Sequence, residues 1–104
     1  SVKSFPFSLR YTEEDFKEEL QRKVAILAPK RGLKKAVDRN KMKRQMRELY
    51  RLNKPAIFNS SVKEIWSICY LGNRLNDYAL LEAGFLKLLK AYEKQRKKEL
   101  NNEK

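Results

Sequence analysis

Several residue types that enzymes and secreted proteins depend on are scarce or missing in this 104-residue chain. It has no histidine and a single cysteine, Cys69, so neither an intrachain disulfide nor a Cys/His zinc site can form. No apolar run approaches the roughly eighteen residues of a membrane-spanning helix, and no signal-peptide pattern is visible. These features predict one domain, a cytoplasmic location and no membrane association.

Acidic residues are also in short supply. Thirteen Asp and Glu stand against twenty-five Lys and Arg, which gives a net charge of +12. Residues 30–54 hold eleven of the bases and only two acids, whereas residues 12–20 hold five acids and one base. Such a concentration of positive charge favours a nucleic acid as the partner. A membrane surface is the weaker alternative, because the apolar residues beside these bases include no Trp or Phe anchor.

The basic stretch has the pattern of one amphipathic helix. From Ala36 to Leu52 there is no Gly or Pro and only one β-branched residue, which predicts a continuous helix. At about 100° per residue, two neighbouring arcs result. The apolar arc, which we expect to dock on the domain, holds Met42, Met46, Leu49 and Tyr50. The polar arc, which we expect to face solvent, holds Asn40, Lys43, Arg44, Arg47 and Arg51.

Three apolar segments predict strands. Residues 1–12 alternate with a period of two, which indicates one half-buried strand that lies at an edge or starts its ladder after Pro6. Residues 22–29 predict a central strand buried on both faces, and residues 64–71 predict a second such strand. The apolar side of the first strand would hold Phe5, Phe7, Leu9 and Tyr11.

The remaining segments connect or extend these elements. Residues 12–21 fit either a short capped helix or a polar loop, and their adjacent acids without a distant ligand make a poor metal site. The basic helix should stop near Asn53, because Pro55 follows, and residues 56–63 read as a connector. Asp77 should cap a second helix, beyond which residues 93–104 are predicted to form a frayed basic tail. The apolar stripe of that helix comprises Tyr78, Leu81, Phe85, Leu88, Leu89 and Tyr92.

The order of elements predicts an α/β (α+β) sandwich, a small central sheet with both helices packed on one face. Within it, residues 36–48, AVDRNKMKRQMRE, fill every fixed position of the pattern Ala-Val-x-Arg-Asn-x-x-Lys-Arg-x-x-Arg-Glu. This segment resembles the signature of the bacterial ribonuclease P protein component. Residues 24–31 resemble that family's strand and turn before the helix, and residues 65–72 resemble its last strand. The resemblance implies a left-handed β-α-β crossover, and we expect the family's amino-terminal helix to be missing here.

The resemblance also implies a function. The protein would bind a catalytic RNA that carries Mg²⁺ and removes the 5′ leader of precursor tRNA, and would itself supply no catalytic side chain and bind no metal. The implied RNA-binding residues are Lys30, Arg31, Lys35, Arg39, Asn40, Lys43, Arg44, Arg47 and Arg51. The implied leader-binding residues are Phe7, Leu9 and Tyr11, although Phe7 and Leu9 fit an ordinary core role equally well. The alternative function is a non-enzymatic RNA- or DNA-binding module, ribosomal or regulatory.

Overall fold

The structure, a computed structural model, describes residues 1–14, 22–53 and 63–102. Four strands form one mixed sheet in the order β1-β2-β4-β3, in which β3 and β4 are parallel and the other pairs antiparallel. The helix between β3 and β4 completes a β-α-β unit, so the predicted α+β fold is confirmed. The elements are β1 (Val2–Ser4), β2 (Phe7–Glu13), β3 (Arg22–Leu27), α1 (Ala36–Asn53), β4 (Glu64–Tyr70) and α2 (Tyr78–Asn102).

Both helices pack on the same face of the sheet. Every second residue of β4 is buried there, as are Phe7 and Leu9 of β2, and the apolar side chains among them join the apolar stripes of α1 and α2 in one core. Burying each large apolar side chain of this kind contributes about 1.5–3 kcal/mol. The buried α1 residues are Met42, Met46 and Leu49, and Tyr50 packs against the core with its ring 6.0 Å from that of Trp66. The apolar arc of α1 is therefore confirmed.

The amino-terminal segment is a hairpin, and the prediction of one strand was wrong. β1 and β2 pair antiparallel, and Ser4 lies opposite Phe7 across a turn made by Phe5 and Pro6. Proline has no N–H and a fixed φ, so it suits a turn better than a strand interior. The turn also exposes Phe5, which the alternating pattern had placed inside.

The sequence predicted that the strand before α1 would be central in the sheet, and this prediction was wrong. β3 lies at the edge of the sheet, paired only with β4 among the described strands. Val24 and Ile26 contact the core, whereas Ala25 and Leu27 are exposed on the opposite face of the sheet. On β4, which is central, the residues of that opposite face are only half-buried. A continuous apolar run thus belongs to a sheet with one covered face.

Residues 93–102, the described part of the predicted frayed tail, are helical. α2 begins after Asp77, whose carbonyl accepts the N–H of Leu81 at 3.1 Å, and continues to Asn102. Arg96 in this part of the helix is buried. None of the helices in the described ranges is both long and apolar enough to cross a membrane.

Two other predictions concern segments that the structure describes only in part. Thr12 and Glu13 belong to β2, so no helix is capped at Thr12. The rest of the acidic segment, residues 15–21, and the predicted connector up to residue 62 lie outside the described residues.

Candidate nucleic-acid interface

The chain enters α1 through a basic turn that backbone hydrogen bonds hold in place. The N–H groups of Gly32 and Leu33 both donate to the carbonyl of Pro29 at 3.1 Å. Leu33 is buried in the core and anchors the turn from inside. The carbonyl of Lys35 then accepts the N–H groups of Asp38 and Arg39, which starts the helix. Lys30, Arg31, Lys34 and Lys35 remain exposed around this fixed backbone.

Gly32 allows this turn to lie against the end of β4. A Cβ atom at position 32 would come within 2.5 Å of the Gly72 carbonyl oxygen, closer than Cβ atoms approach other atoms in proteins. Because that neighbour is backbone, it cannot rotate away as a side chain would. The close approach brings the basic turn next to the segment that follows β4.

Arg39 holds the turn from the helix side. Its Nη1 donates to the carbonyls of Leu33 and Lys34, each at 2.9 Å, and its side chain is half-buried. The guanidinium is therefore engaged with protein backbone in this structure. Sequence reasoning assigned Arg39 to RNA contact, and the geometry adds a positioning role for the residues that precede it.

The polar arc of α1 faces outward. Asn40, Arg44, Arg47 and Arg51 are exposed and Lys43 is half-exposed. Arg51 pairs with Glu48 at 2.6 Å, and this hydrogen bond lowers the pKa of the Glu48 carboxyl. Within the part of the chain that the structure describes, neither Arg44 nor Arg47 has an ion-pair partner. Unpaired guanidinium groups on a rigid helix suit phosphate oxygens, which they can bind in a bidentate manner.

A basic concavity of about 660 Å³ lies at the start of α1. The turn supplies Arg31, Lys34 and Lys35 on one side, and the segment after β4 supplies Asn73 and Arg74 on the other. Asp38 is the acidic residue of its lining. Sequence reasoning missed Lys34 and Arg74 as candidates. Arg74 could have been noticed as a base in the turn after a strand, but its closeness to residues 31–35 depends on the fold.

The predicted leader-binding residues do not form a surface. Phe7 and Leu9 have no exposed area and pack in the core, which favours their alternative role as core residues. Tyr11 is half-buried beside Tyr92, and its hydroxyl donates to Glu99 Oε1 at 2.8 Å. All three residues lie on the face of the sheet that the helices cover, and leader binding by Tyr11 stays a prediction.

The opposite face of the sheet, here called the open face, is accessible. In its middle rows, Ser67 of β4 lies between Arg10 of β2 and Ala25 of β3, and Ile65 lies between Thr12 and Lys23. All of these side chains are exposed or half-buried. The open face therefore combines cationic, polar and apolar groups on a rigid backbone.

A second group of charges, here called the buried ion cluster, lies at the end of the sheet away from the basic turn. Glu64 and Arg96 are almost fully buried, with 3.2 Å between Arg96 Nε and Glu64 Oε2. Arg96 also pairs with Glu13 and, at 3.1 Å, with Glu99. Glu64 accepts a 2.5 Å hydrogen bond from the Tyr92 hydroxyl. No sequence signal had marked this cluster.

The acidic side chains and the cysteine near this surface have the following surroundings. Among the described residues no group of three His, Cys, Asp or Glu side chains could hold a metal ion. Glu48 is tied to Arg51, and Glu64 is enclosed by Arg96 and Tyr92. Burial raises the pKa of the Cys69 thiol, which makes it a poor nucleophile at neutral pH.

The fold and the outward-facing cations together define a small basic α+β protein with a surface suited to RNA. The profile of the family described as Ribonuclease P matches residues 1–94, so the chain belongs to that family. It is accordingly a protein subunit of ribonuclease P, a tRNA-processing endoribonuclease, and its partner is an RNA. Comparisons with curated proteins and with solved structures gave no match.

Proposed function

We propose that α1 and its basic turn bind the catalytic RNA subunit of ribonuclease P, and that the domain also binds the 5′ leader of precursor tRNA. The observation that carries the proposal is the exposure of Arg44 and Arg47 on a helix whose other side is locked into the core. A fixed array of cations can hold a folded RNA in one orientation.

The same proposal assigns the cleavage chemistry to the RNA and its Mg²⁺. The carboxylates of Glu48 and Glu64 already have cationic partners. The protein would contribute by neutralising phosphates and thereby lowering the Mg²⁺ concentration that the RNA needs.

For the leader, the open face replaces the residues that the sequence suggested. Arg10 offers a phosphate contact there, and Ile65, in the next row on β4, offers an apolar surface for a base. An extended single strand can follow such a surface, because stacking and phosphate contacts tolerate many sequences.

Reconstitution tests the proposal directly. The chain is combined with a ribonuclease P RNA and precursor tRNA at low Mg²⁺, and the cleavage rate is compared with that of the RNA alone. We expect clear stimulation by the wild-type chain and little by the variant Arg44→Ala/Arg47→Ala. The variant Lys87→Ala/Lys90→Ala removes the same charge from exposed positions on α2 and should stimulate normally.

Absence of stimulation by the wild-type chain would overturn the proposal and favour the alternative, an RNA- or DNA-binding module outside ribonuclease P. The leader assignment has its own comparison. Arg10→Ala should weaken binding of precursor tRNA that carries a leader and leave binding of leaderless tRNA unchanged. Equal effects on both substrates would remove the open face from leader binding.

A further inference from the structure

A second concavity, of about 600 Å³, lies beyond the basic turn and has no role in the function proposed above. It is formed by the β1–β2 turn, the segment after β4 and the first turn of α2. Its lining combines two apolar side chains with amide and guanidinium groups. The lining residues are Phe5, Gly72, Asn73, Arg74, Asn76 and Leu80.

The apolar side chains of this site are exposed although their backbone is firmly held. Phe5 is 66% exposed and Leu80 is 42% exposed. The carbonyl of Pro6 accepts the N–H of Leu71 at 2.7 Å, which ties the turn to the end of β4. On α2, a Cβ atom at Gly84 would come within 2.6 Å of the Phe5 carbonyl oxygen, so glycine lets the turn sit directly on the helix. The aromatic ring is thus presented by a fixed support.

The polar side of the site is also ordered by the core. The hydroxyl of Tyr70, a buried residue, donates to the carbonyl of Arg74 at 2.5 Å and accepts from Nδ2 of Asn76 at 2.5 Å. These bonds fix the segment after β4 and leave the side chains of Asn73 and Arg74 exposed. In the described chain, the Arg74 guanidinium has no ion-pair partner.

The site is continuous with the basic concavity at the start of α1. Asn73 and Arg74 line both hollows, so a chain that leaves the cations of Arg31 and Lys34 passes Arg74 and reaches Phe5. A row of cations that leads to an exposed aromatic ring is the arrangement by which proteins hold single-stranded RNA. A purely apolar partner would leave Arg74 and the neighbouring cations without a counter-charge.

We propose that this second concavity binds an unpaired nucleobase of an RNA strand whose phosphates run past Arg74 toward the basic turn. Phe5 stacks on the base, Leu80 closes the apolar side, and the Asn73 amide hydrogen-bonds to an edge of the base. The inference rests on the proposed function in one respect, that the partner is RNA, and adds a base-stacking site that α1 does not provide.

The test uses the full chain and a short single-stranded RNA with one 2-aminopurine, a base whose fluorescence falls when it stacks. We expect Phe5→Ala to raise the Kd by about 5- to 100-fold, the effect of losing one base–aromatic stack, and to abolish the quenching. Phe5→Trp should retain both. Leu86→Ala removes an apolar side chain of 38% exposure elsewhere on α2 and should change neither.

A fold check accompanies each variant, by circular dichroism and urea unfolding. Because Phe5 is largely exposed, its replacement should leave stability almost unchanged. Arg74→Ser is a second variant away from the turn, and it should weaken binding with a shallower salt dependence. Unchanged Kd and quenching in Phe5→Ala would overturn the proposal, as would a wild-type chain that does not quench the probe.

Further arms identify the source of the base and separate this inference from the proposed function. Phe5→Ala is compared for binding to the RNA subunit, to precursor tRNA and to leaderless tRNA, and the ligand that loses affinity supplies the base. If Phe5→Ala leaves RNA binding intact but abolishes self-association in sedimentation, the site is a contact between copies and the proposal fails. If the wild-type chain quenches the probe but does not stimulate cleavage, the proposed function is refuted and this site is not. If the wild-type chain stimulates cleavage but Phe5→Ala binds RNA as the wild type does, this site is refuted and the proposed function is not.

Discussion

Charged residues at two places in the domain differ in their exposure and in their pairing with opposite charges. On α1 and its turn, cations are exposed, and Arg44 and Arg47 have no acidic partner in the described chain. In the buried ion cluster, Arg96 is withdrawn from water and surrounded by Glu13, Glu64 and Glu99. Arg44 and Arg47 are therefore available to another molecule, whereas Arg96 is paired with acidic residues of its own chain.

The physics of burial explains the difference. Burial alone would lower the pKa of Arg96, but its hydrogen bonds to Glu13 and Glu99 raise it overall, so the guanidinium stays charged. A buried charge is tolerated only with such partners, and removing one side leaves the other uncompensated. An exposed charge on α1 has no such dependence and affects mainly what binds there. Substitutions in the buried ion cluster should thus lower stability, and substitutions of the exposed cations on α1 should weaken binding without lowering stability.

The largest expected effect tests the buried ion cluster. Arg96→Met keeps much of the side-chain length but removes the closer of the two cations beside the buried carboxylate of Glu64, and leaves only Arg22, whose Nε lies 3.8 Å from Glu64 Oε1. We expect the free energy of unfolding to fall by about 3–5 kcal/mol, measured by urea denaturation. Arg47→Met makes the same change on exposed α1 and should shift stability by no more than about 0.5 kcal/mol. Similar losses in the two variants would show that the cluster contributes no more than surface charge.

The next effect concerns binding through α1. Arg44→Ala and Arg47→Ala should each weaken binding of the RNA subunit by about tenfold, and the salt dependence of log Kd should become shallower by about 0.7–0.9 per lost phosphate contact. Unfolding free energy should be unchanged, which is the reverse of the Arg96→Met result. Lys87→Ala on α2 is the control. An unchanged salt slope would remove the substituted residue from the RNA interface.

How much of this arrangement could be foreseen depends on whether the signal is local. α1 was predicted to within a residue at its carboxyl end, because an uninterrupted run of helix formers and a following Pro55 mark it in sequence. The arcs of α1 followed from the helical period alone. The family signature lies in the same segment, so the part of the site carried by α1 was accessible to sequence reasoning.

What was missed depends on contacts between distant segments. The stripe of α2 continues from Tyr92 to Arg96, but a buried arginine is unexpected until Glu13 and Glu64 are known to meet it. The hairpin was not predicted because residues 5 and 7 keep the alternating pattern across the turn. Pro6 was the one local signal of a break in the strand. The burial of Phe7 and Leu9 could not be settled from sequence, because a period of two identifies two faces of a strand without saying which one the helices cover.

A smaller effect is expected at Arg39. This residue belongs to the cationic signature of α1, but its guanidinium binds the protein backbone. In Arg39 one atom, Nη1, donates to both the Leu33 and Lys34 carbonyls, and Arg39→Lys places the side-chain nitrogen one bond closer to the backbone, short of that position. We expect a loss of about 1–2 kcal/mol in stability and faster hydrogen exchange at the Gly32 and Leu33 amides. Arg44→Lys should leave both unchanged. If exchange in the turn is unaffected in Arg39→Lys, the positioning role is wrong.

The smallest effect sharpens the comparison through pH, because Tyr11 borders the buried ion cluster. Burial, together with the hydrogen bond to Glu99, raises the pKa of Tyr11 to about 12 from the usual 10. A raised pKa in the folded state means that the hydroxyl stabilises the fold fully below pH 10 and loses this contribution as pH rises toward 12. Tyr11→Phe should therefore be less stable than wild type by about 1 kcal/mol at pH 8, and this advantage of the wild type should shrink as the pH rises from 10 toward 12. Tyr78→Phe, at an exposed position, should match wild type throughout. A difference between wild type and Tyr11→Phe that stays constant from pH 8 to 12 in urea unfolding would mean that Tyr11 is not coupled to the cluster.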